Sequence, residues 1–222
     1  ITVRATSADT SFSTQSFTIN LTDVNEGAVG VVSDSNAAAN TVLENSSNGT
    51  TVGITGLATD PDGTDVVTYS LDDNAGGRFA IDSSTGIVTV NGAIDREAAA
   101  SYNITIRATS TDASTTTQTF TINIGDVDEF DTGAVTDSDA VANSVVENAA
   151  NGTVVGITGL ASDADATTNT ITYSLFDNDG GRFAIDANTG VVTVAGAINR
   201  ETDGASRNIT IRATSADTSF TD

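Results

Sequence analysis

The sequence contains no Cys, His, Met, Trp or Lys, and these absences exclude several classes of site. Without Cys, neither disulfides nor thiolate metal sites can hold the chain together. Without His, the chain lacks the commonest general base and the imidazole ligands that softer metals prefer. No His- or Cys-based nucleophile system can be built, so we expect that the protein is not an enzyme.

The charge of the chain is almost all of one sign. Eight Arg oppose 30 acidic residues, and the formal net charge is -22. This charge excludes nucleic acid as a natural partner and disfavours anionic membrane surfaces. No apolar run is long enough to insert this segment into a membrane. A salt-adapted acidic surface would explain the charge, but it would not require carboxylates at fixed positions in each repeat.

The chain repeats itself with a period of about 103 residues. Residues 2–26 match residues 105–129, and the run Gly76–Asp82 reappears at residues 180–186. Self-similarity at a fixed period is typical of tandem modules, each of which forms one structural unit. The sequence therefore predicts an array of similar domains.

The repeats divide the chain into three unequal pieces. Residues 1–26 are the C-terminal strands of a preceding repeat, called the first segment below. Residues 27–130 form a complete repeat, the middle repeat, and residues 131–222 form a further repeat that lacks its last strand, the last repeat. We expect the chain to be a window on a longer array, or a subunit whose ends neighbouring chains complete.

Apolar residues alternate with polar ones in each repeat, as in Thr119–Ile124. Alternation and enrichment in Thr, Val and Ile indicate strands, and pairs such as Asn48-Gly49 indicate turns. No stretch has a helical face. About seven short strands in each repeat predict an all-β fold of tandem immunoglobulin-like Greek-key β-sandwiches.

In the middle repeat we expect strands near residues 41–45, 51–58, 66–72, 79–82, 87–91, 102–109 and 117–125. The predicted core consists of the large apolar residues of these strands: Leu57, Tyr69, Leu71, Phe79, Ile81, Ile87, Ile104, Ile106, Phe120 and Ile122.

Acidic linkers join the pieces. Asp126-Val127-Asp128-Glu129 lies between the middle and last repeats, and Asp23-Val24-Asn25-Glu26 lies 103 residues earlier. Carboxylates crowded into a linker repel one another unless a cation neutralises them. A hard cation that prefers oxygen ligands, Ca²⁺ above all, is the simplest explanation.

Three further acidic clusters recur in order within each repeat. In the middle repeat they are Glu44, the run Asp60-Pro61-Asp62 and the run Asp95-Arg96-Glu97, all near predicted strand ends. One such cluster would be weak evidence in an acidic chain. Asp60 and Asp62 do not begin an EF-hand, because no twelve-residue loop ending in Glu follows them.

This ordered set resembles cadherin repeats, in the form found in large bacterial surface proteins. The matching stretches are Glu44-Asn45, Ala58–Asp62, Tyr69–Leu71, Phe79–Asp82, Ile94–Glu97 and Asp126–Glu129. The resemblance covers essentially the whole chain. It implies cadherin-type sandwiches with Ca²⁺ between consecutive domains, bound by both domains and their linker.

The resemblance also assigns ligands to three joints. The second joint, between the middle and last repeats, would use Glu44, Asp95, Glu97, Asp126, Asp128, Glu129, Asp163 and Asp165. The first joint, before the middle repeat, would use Asp23, Asn25, Glu26, Asp60 and Asp62. Glu147 and Glu201 would serve a third joint, beyond the last repeat.

The sequence departs from the family pattern at several of these positions. Ser7, Ser110 and Ser215 replace the Asp that the family has after its penultimate strand, and Asn199 stands where the middle repeat has Asp95. Asn169 is a candidate for the family's extra Asn position, which Asp65 or its neighbours would fill in the middle repeat. We expect one to three ions at each joint.

Other acidic residues have simpler explanations. Asp82 and Asp186 precede turns and are expected to form them. The pairs Asp34/Asn36 and Asp137/Asp139 suit a supplementary ion site and a solvated turn equally.

The leading hypothesis is therefore a structural, extender segment of an extracellular, secreted or surface-attached adhesin or filament, stiffened by Ca²⁺. Its expected partners are adjacent repeats of the same or identical chains. A recognition module for a cell-surface glycan, or for a like adhesin, is an alternative from another class. A filament subunit is a third: a strand like residues 15–23 of one chain would complete the last repeat of another.

Overall fold

The computed structural model describes residues 1–22 and 24–222, and the regular secondary structure of these residues is β strands apart from one short helix. The strands are β1 (Thr2–Thr6), β2 (Phe12–Ser16), β3 (Ser33–Asp34), β4 (Thr41–Leu43), β5 (Thr51–Leu57), β6 (Val67–Asp73), β7 (Phe79–Ile81), β8 (Ile87–Val90), β9 (Ser101–Ser110), β10 (Thr115–Gly125), β11 (Thr136–Asp137), β12 (Val154–Leu160), β13 (Thr172–Asp177), β14 (Phe183–Ile185), β15 (Val191–Val194), β16 (Thr210–Thr214) and β17 (Phe220–Thr221), and the helix is α1 (Arg200–Asp203).

Strands β3 to β10 form a sandwich of two four-stranded sheets. One sheet has the order β4-β10-β9-β6 and the other β3-β5-β8-β7. The neighbours pair antiparallel except β4, which lies parallel to β10 with Val42 opposite Ile124. Strand β10 thus lies between β4 and β9 and covers one end of the core.

The core of this sandwich is formed by alternate residues of facing strands. Tyr69, Phe79, Ile104, Ile106 and Ile122 are buried, as predicted. The predicted residues Leu71, Ile81 and Phe120 are half-buried and pack against them. Val52, Ile54, Val88, Val90 and Ile124 are also fully buried core residues.

Two predicted core residues, Leu57 and Ile87, are exposed. Strand β5 points Val52 and Ile54 inward, so Leu57, at the other parity, points outward. Strand β8 likewise points Val88 and Val90 inward and Ile87 outward. Because these strands carry apolar residues at both parities, size alone does not identify the inward face.

Helix α1 is a single turn that the alternation did not predict. The Asn199 side chain accepts hydrogen bonds from the backbone N–H groups of Glu201 and Thr202, at 2.9 and 3.1 Å, and so caps the helix. A cap of this kind stabilises one turn without an apolar face. Among the described residues, the structure contains no helix with the length and hydrophobicity needed to cross a bilayer.

The other strands form smaller units. Strands β11, β12, β15 and β14 form one sheet, and β13, β16 and β17 form a three-stranded one. Val155, Val192, Val194 and Ile198 form the buried core between them. Strands β1 and β2 pair only with each other in the described structure, and every residue of this hairpin is exposed.

Candidate metal centre

At the second joint, Glu44 fixes the linker to the end of the middle repeat. Its buried carboxylate follows β4 and accepts hydrogen bonds from two backbone N–H groups. Arg96 N–H donates to one oxygen at 2.5 Å, and Val127 N–H donates to the other at 2.8 Å. One side chain therefore ties together the end of β4, the Asp95–Glu97 run and the linker.

Asp165 fixes the other end of this linker to the last repeat. Its side chain is 0% exposed and accepts hydrogen bonds from Glu129 N–H at 3.1 Å and Phe130 N–H at 3.2 Å. The Glu97 carboxylate of the middle repeat accepts a hydrogen bond from Ala166 N–H at 2.9 Å. Carboxylates of both repeats thus contribute hydrogen bonds across the joint.

Among the residues that the structure describes, carboxylates at the joints form three tight groups. Within each group the oxygens can lie within 4.8 Å of one another. The groups are Glu44, Asp95 and Glu97; Asp128, Asp165 and Asp217; and Asp60, Asp62 and Asp65. The first two lie at the second joint and the third at the first joint. All these ligand atoms are carboxylate oxygens, the type that Ca²⁺ prefers.

In the described part of the joints, three buried carboxylate oxygens have no hydrogen-bond donor: Oδ2 of Asp60, Oδ1 of Asp126 and Oδ2 of Asp163. A buried polar atom without a partner costs about 1–3 kcal/mol, and more when it is charged. A divalent cation would satisfy these oxygens and offset the crowded charge, so the residues fit Ca²⁺.

The electrostatics of the second joint disfavour three of its bare carboxylates, whereas hydrogen bonds, that with Ser215 first, lower the pKa of Asp163. Partial desolvation, together with the charges of Glu44 and Glu129, raises the pKa of Glu97 above its ordinary value. Partial desolvation and a hydrogen bond with Asp165 raise the pKa of Asp128. Desolvation also raises the pKa of Glu129, beside Glu44 and Asp165. These groups gain from a neutralising proton or metal ion.

The first joint fixes its linker in a similar way, but a different residue of that linker faces the acidic loop. Asp62 accepts hydrogen bonds from Glu26 N–H at 3.1 Å and Gly27 N–H at 3.2 Å, as Asp165 does at the second joint. Here, however, the Asn25 amide donates to the Asp112 carboxylate at 3.0 Å. The predicted ligand Asp23 lies outside the described residues.

The candidates for a third joint are not gathered in the same way. Glu147 accepts a hydrogen bond from Arg200 N–H at 2.9 Å, the counterpart of the bond from Arg96 N–H to Glu44. Glu147 and Glu201 are exposed, and within residues 1–22 and 24–222 neither belongs to a group of three neighbouring carboxylates. Asn199, at the position of Asp95, instead caps α1.

Comparison with known proteins identifies this arrangement. The profile of the Cadherin domain family matches residues 39–125 and 142–221, which together are more than half of the chain. The chain belongs to the Cadherin domain family. The resemblance predicted from the ordered acidic motifs is confirmed at this level.

Individual cadherins extend the match. Human protocadherin Fat 4 is 37% identical over 150 residues, which are 67% of this chain and 3% of that protein. The protocadherin-like wing polarity protein stan of Drosophila melanogaster is 32% identical over 212 residues, 90% of this chain and 6% of that protein. The chain therefore spans a small part of the length of these relatives, which come from animals.

A crystal structure of mouse cadherin-23 EC22–24 has a TM-score of 0.69 and 28% sequence identity, and the match covers 88% of this chain and 61% of that chain. This likeness confirms the predicted all-β cadherin-type sandwich. Neither the matched family nor the relatives named above indicate an enzyme.

Two acidic loop residues that the motif comparison missed also lie at the joints. Asp217 joins Asp128 and Asp165 at the second joint, and its counterpart Asp112 meets Asn25 at the first. Both lie two residues after the Ser that replaces the family's Asp. Their recurrence, 105 residues apart, is the sequence signal that would have found them.

Several other acidic residues form turns. Asp82 accepts hydrogen bonds from the N–H groups of Ser84 and Thr85 at 3.0 and 2.8 Å, and Asp186 makes the equivalent pair of bonds. Both therefore form turns, as predicted. Asp34 accepts from Asn36 N–H and Thr55 N–H, both at 3.0 Å, which favours the turn over the supplementary ion site.

Proposed function

We propose that this chain is a Ca²⁺-stiffened extender segment of an extracellular adhesion protein. The domains we assign are residues 1–26, 27–130 and 131–222, with metal-binding joints where they meet. The single observation that carries the proposal is the set of buried, unpartnered carboxylate oxygens of Asp60, Asp126 and Asp163.

At the second joint, Glu44, Asp95, Glu97 and Asp126 would bind Ca²⁺ from the side of the middle repeat. Glu129 and the group of Asp128, Asp163, Asp165 and Asp217 would bind it from the linker and the last repeat. A shared ion would fix the angle between the two repeats, because ligands from both must keep their geometry. Without the ion, the carboxylates repel and the joint loosens.

This proposal also sets where the chain would work. Calcium modules outside cells have dissociation constants of about 10⁻⁴–10⁻³ M, so such joints fill in extracellular fluid and empty inside the cell. The array would therefore stiffen after export, at the cell surface or as a secreted protein. We also propose that the parent protein is a bacterial surface adhesin, because the ordered acidic motifs resemble the repeats of such proteins.

Thermal unfolding in millimolar Ca²⁺, in excess chelator and in Mg²⁺ tests the proposal. We expect a Ca²⁺-specific rise in the midpoint, because binding to the folded state alone stabilises it. Glu97→Ala should remove part of this rise. The matched control Glu201→Ala, at the equivalent position of the last repeat, should leave it unchanged.

Small-angle scattering gives an independent test of the stiffening itself. The radius of gyration and maximum dimension should change on chelation, because the second joint gains freedom. Coincident unfolding curves and unchanged dimensions with and without Ca²⁺ would overturn the proposal.

Recognition of a glycan is a second candidate function, favoured by an exposed aromatic platform on the last repeat. The Arg212 guanidinium stacks on Phe176 and Phe220, at 4.6 and 4.1 Å from the ring centres, and both rings are exposed. Aromatic faces beside a charged group suit sugar rings. Glycan-array binding that Phe176→Ala abolishes would support this role, and a blank array would remove it.

A further inference from the structure

At the first joint, a single loop of the middle repeat supplies three carboxylates. Asp60, Asp62 and Asp65 lie between β5 and β6, and their oxygens can lie within 4.8 Å of one another. Asp62 is buried, and Asp60 and Asp65 are half-buried. The Asp65 N–H donates a hydrogen bond to the Asp62 carbonyl at 3.0 Å, which turns the loop back on itself. Asp65 therefore completes the carboxylate group of the first joint.

Thr111 holds the Asp65 carboxylate in place. Its hydroxyl donates a hydrogen bond to Asp65 Oδ1 and accepts one from the backbone N–H of Val66 at 3.2 Å. Thr111 directly follows β9, so these two bonds fasten the loop to the end of that strand. A side chain that is held by its neighbours in this way keeps its position when a ligand binds. The Asp65 carboxylate is therefore oriented by the fold of the middle repeat itself.

The second joint completes its group from a different loop. Asp128 of the linker, Asp165 and Asp217 gather there, and Asp217 lies in the turn between β16 and β17. Asp217 Oδ1 accepts a hydrogen bond from Ser219 N–H at 2.7 Å, which fixes the side chain within this turn. The group at the second joint thus draws on three separate segments of the chain.

The counterpart of Asp217 in the middle repeat is engaged elsewhere. This residue is Asp112, and it accepts hydrogen bonds at both of its oxygens. Ser114 N–H donates to Oδ1 at 2.8 Å, and the Asn25 amide donates to Oδ2 at 3.0 Å. Asp112 is therefore already satisfied, and Asp65 instead completes the group at the first joint.

The last repeat has neither Asp65 nor the hydroxyl that holds it. Its loop has one additional residue, and Thr168 and Asn169 stand where the middle repeat has Asp65. Ala216 stands at the position of Thr111. The carboxylate of this loop and its hydroxyl partner are thus present together in one repeat and absent together from the other. The two repeats place the completing carboxylate at two alternative positions.

Two buried polar atoms at the first joint point to a bound ligand. Within the described residues, Oδ2 of Asp60 has no hydrogen-bond donor, and the hydroxyl of Ser110, a residue only 3% exposed, has no partner. Ser110 directly precedes Thr111. In the last repeat the equivalent Ser215 makes a hydrogen bond with Asp163, the counterpart of Asp60, and this bond lowers the pKa of Asp163. Ser110 therefore faces the Asp60 carboxylate, where a cation would satisfy both oxygens.

We propose that Asp65, held by Thr111, is a Ca²⁺ ligand of the first joint, and that Asp217 supplies the equivalent charge at the second joint from the other loop. This inference rests on the proposed Ca²⁺ binding and adds the residues that set the affinity of each joint. Ca²⁺ affinity depends on the number of charged ligands. A repeat can therefore lose the carboxylate of one loop if that of the other is free to bind.

A Ca²⁺ titration of the isotope-labelled 222-residue chain, followed by NMR, tests the proposal at each joint. Gly27 N–H donates to Asp62 and Phe130 N–H to Asp165, so their signals report the first and second joints separately. D65N removes one charge, and it should weaken Ca²⁺ binding at the first joint by about tenfold. The second joint should keep its wild-type affinity.

A double variant tests the exchange between the two loops. N25D/D65N removes the amide that engages Asp112, and it rebuilds at the first joint the carboxylate group of the second. The first joint should then bind Ca²⁺ to within about threefold of its wild-type affinity. An affinity as low as that of D65N would overturn the equivalence of the two loops.

Thr111 is a positioning residue, and its test separates this role from a structural one. T111V removes the hydroxyl and should lower the Ca²⁺ affinity of the first joint by about threefold, whereas T111S should bind as the wild type does. A lower unfolding midpoint in chelator with unchanged Ca²⁺ affinity would overturn the positioning role. The matched control D73N removes a charge at the other end of β6, and it should leave both joints unchanged.

The failure of this proposal can be told from the failure of the proposed function. A wild-type chain that binds Ca²⁺ at both joints, with unchanged first-joint affinity in D65N, would overturn only the assignment of Asp65. A wild-type chain that binds no Ca²⁺ at either joint would overturn the metal centre itself.

Discussion

The first and second joints share the hydrogen bonds that fix the linker, and they differ in the linker residue that faces the acidic loop. In each, one buried Asp, Asp62 or Asp165, accepts hydrogen bonds from two consecutive N–H groups of the linker. The linker residue that faces the acidic loop is Asn25 at the first joint and Asp128 at the second. One substitution therefore exchanges a hydrogen-bond donor for a third carboxylate.

This difference changes how much carboxylate charge is left without a neutralising partner at each joint, and therefore how strongly the joint depends on a cation. At the first joint the Asn25 amide satisfies Asp112, and hydrogen bonds with Ser114, followed by the bond from Asn25, lower the pKa of Asp112. At the second joint Asp128 faces Asp165 and Asp217 with no such donor, and its pKa is raised. We infer that the second joint depends more strongly on Ca²⁺.

The largest expected effect is that of Asp165→Ala, compared with Asp62→Ala. Each substitution removes an acceptor that the linker N–H groups use, at a cost of about 1–3 kcal/mol in the free energy of unfolding. In Asp62→Ala the Gly27 N–H keeps a second acceptor, Asn25 Oδ1 at 3.3 Å. In chelator Asp62→Ala should therefore cost no more than Asp165→Ala. In Ca²⁺, Asp165→Ala should cost about 1–3 kcal/mol more than Asp62→Ala, because it removes a carboxylate from the joint that we infer depends more strongly on Ca²⁺.

Urea unfolding of both variants in Ca²⁺ and in chelator measures this difference. The control Asp165→Asn keeps an acceptor for the linker and loses the charge, so its deficit should appear mainly in Ca²⁺. Equal losses for Asp62→Ala and Asp165→Ala in Ca²⁺ would show that the two joints are equivalent.

Exchange of the linker residue should come next in size. Asp128→Asn places at the second joint the residue type that the first joint has in Asn25. The Ca²⁺ affinity of the second joint should therefore fall by about tenfold, or about 1.4 kcal/mol. Asn25→Asp should raise the Ca²⁺ affinity of the first joint by a similar factor. Isothermal titration calorimetry measures both; a variant pair with unchanged affinities would remove Asp128 from the metal centre.

A smaller effect is expected where the linker enters the next repeat. A Cβ on Gly27 would lie 2.9 Å from the ring carbon Cγ of Pro61, and the residues equivalent to this pair at the second joint are Phe130 and Ala164. Gly27→Ala should therefore cost about 1 kcal/mol through overpacking. Pro61→Ala should relieve this cost. In a double-mutant cycle measured by urea unfolding, the double variant should therefore lose less stability than the sum of the two single variants.

Much of the fold could be predicted from the sequence, because repetition and alternation report it directly. Burial of Phe79, Ile104 and Ile122 followed from their spacing. Burial of Val52 rather than Leu57 did not, since both parities of β5 carry apolar residues. The parallel pairing of β4 with β10 was not predictable either, because a three-residue strand does not encode its partner.

The candidate site was predictable where its residues form compact motifs. The resemblance to cadherin repeats assigned Glu44, Asp95 and Glu97 to one joint, and the structure brings them together. Asp217 was missed because it lies in a turn between strands, 52 residues from Asp165, and only folding brings the two together. A single acidic residue in a turn has no signature of its own until the repeats are compared.

The smallest expected effect is the pH dependence of stability, which should differ between the carboxylates of the two joints. In metal-free protein the raised pKa values of Glu97, Asp128 and Glu129 mean that the folded state binds more protons than the unfolded one above about pH 4. Stability from these groups should therefore fall as pH rises from about 4 to 6. The lowered pKa of Asp112 acts oppositely, since its contribution is lost only as pH falls below about 4.

The effect should be modest, because these carboxylates are largely exposed and solvent screens them. Unfolding midpoints in chelator at several pH values measure it. The variant E97Q/E129Q, which cannot ionise at these two positions, should show a flatter dependence between about pH 4 and 6 than the wild-type chain. An unchanged slope would mean that the second joint carries no excess repulsion, and its stronger need for Ca²⁺ would then have to rest on the geometry of its ligands alone.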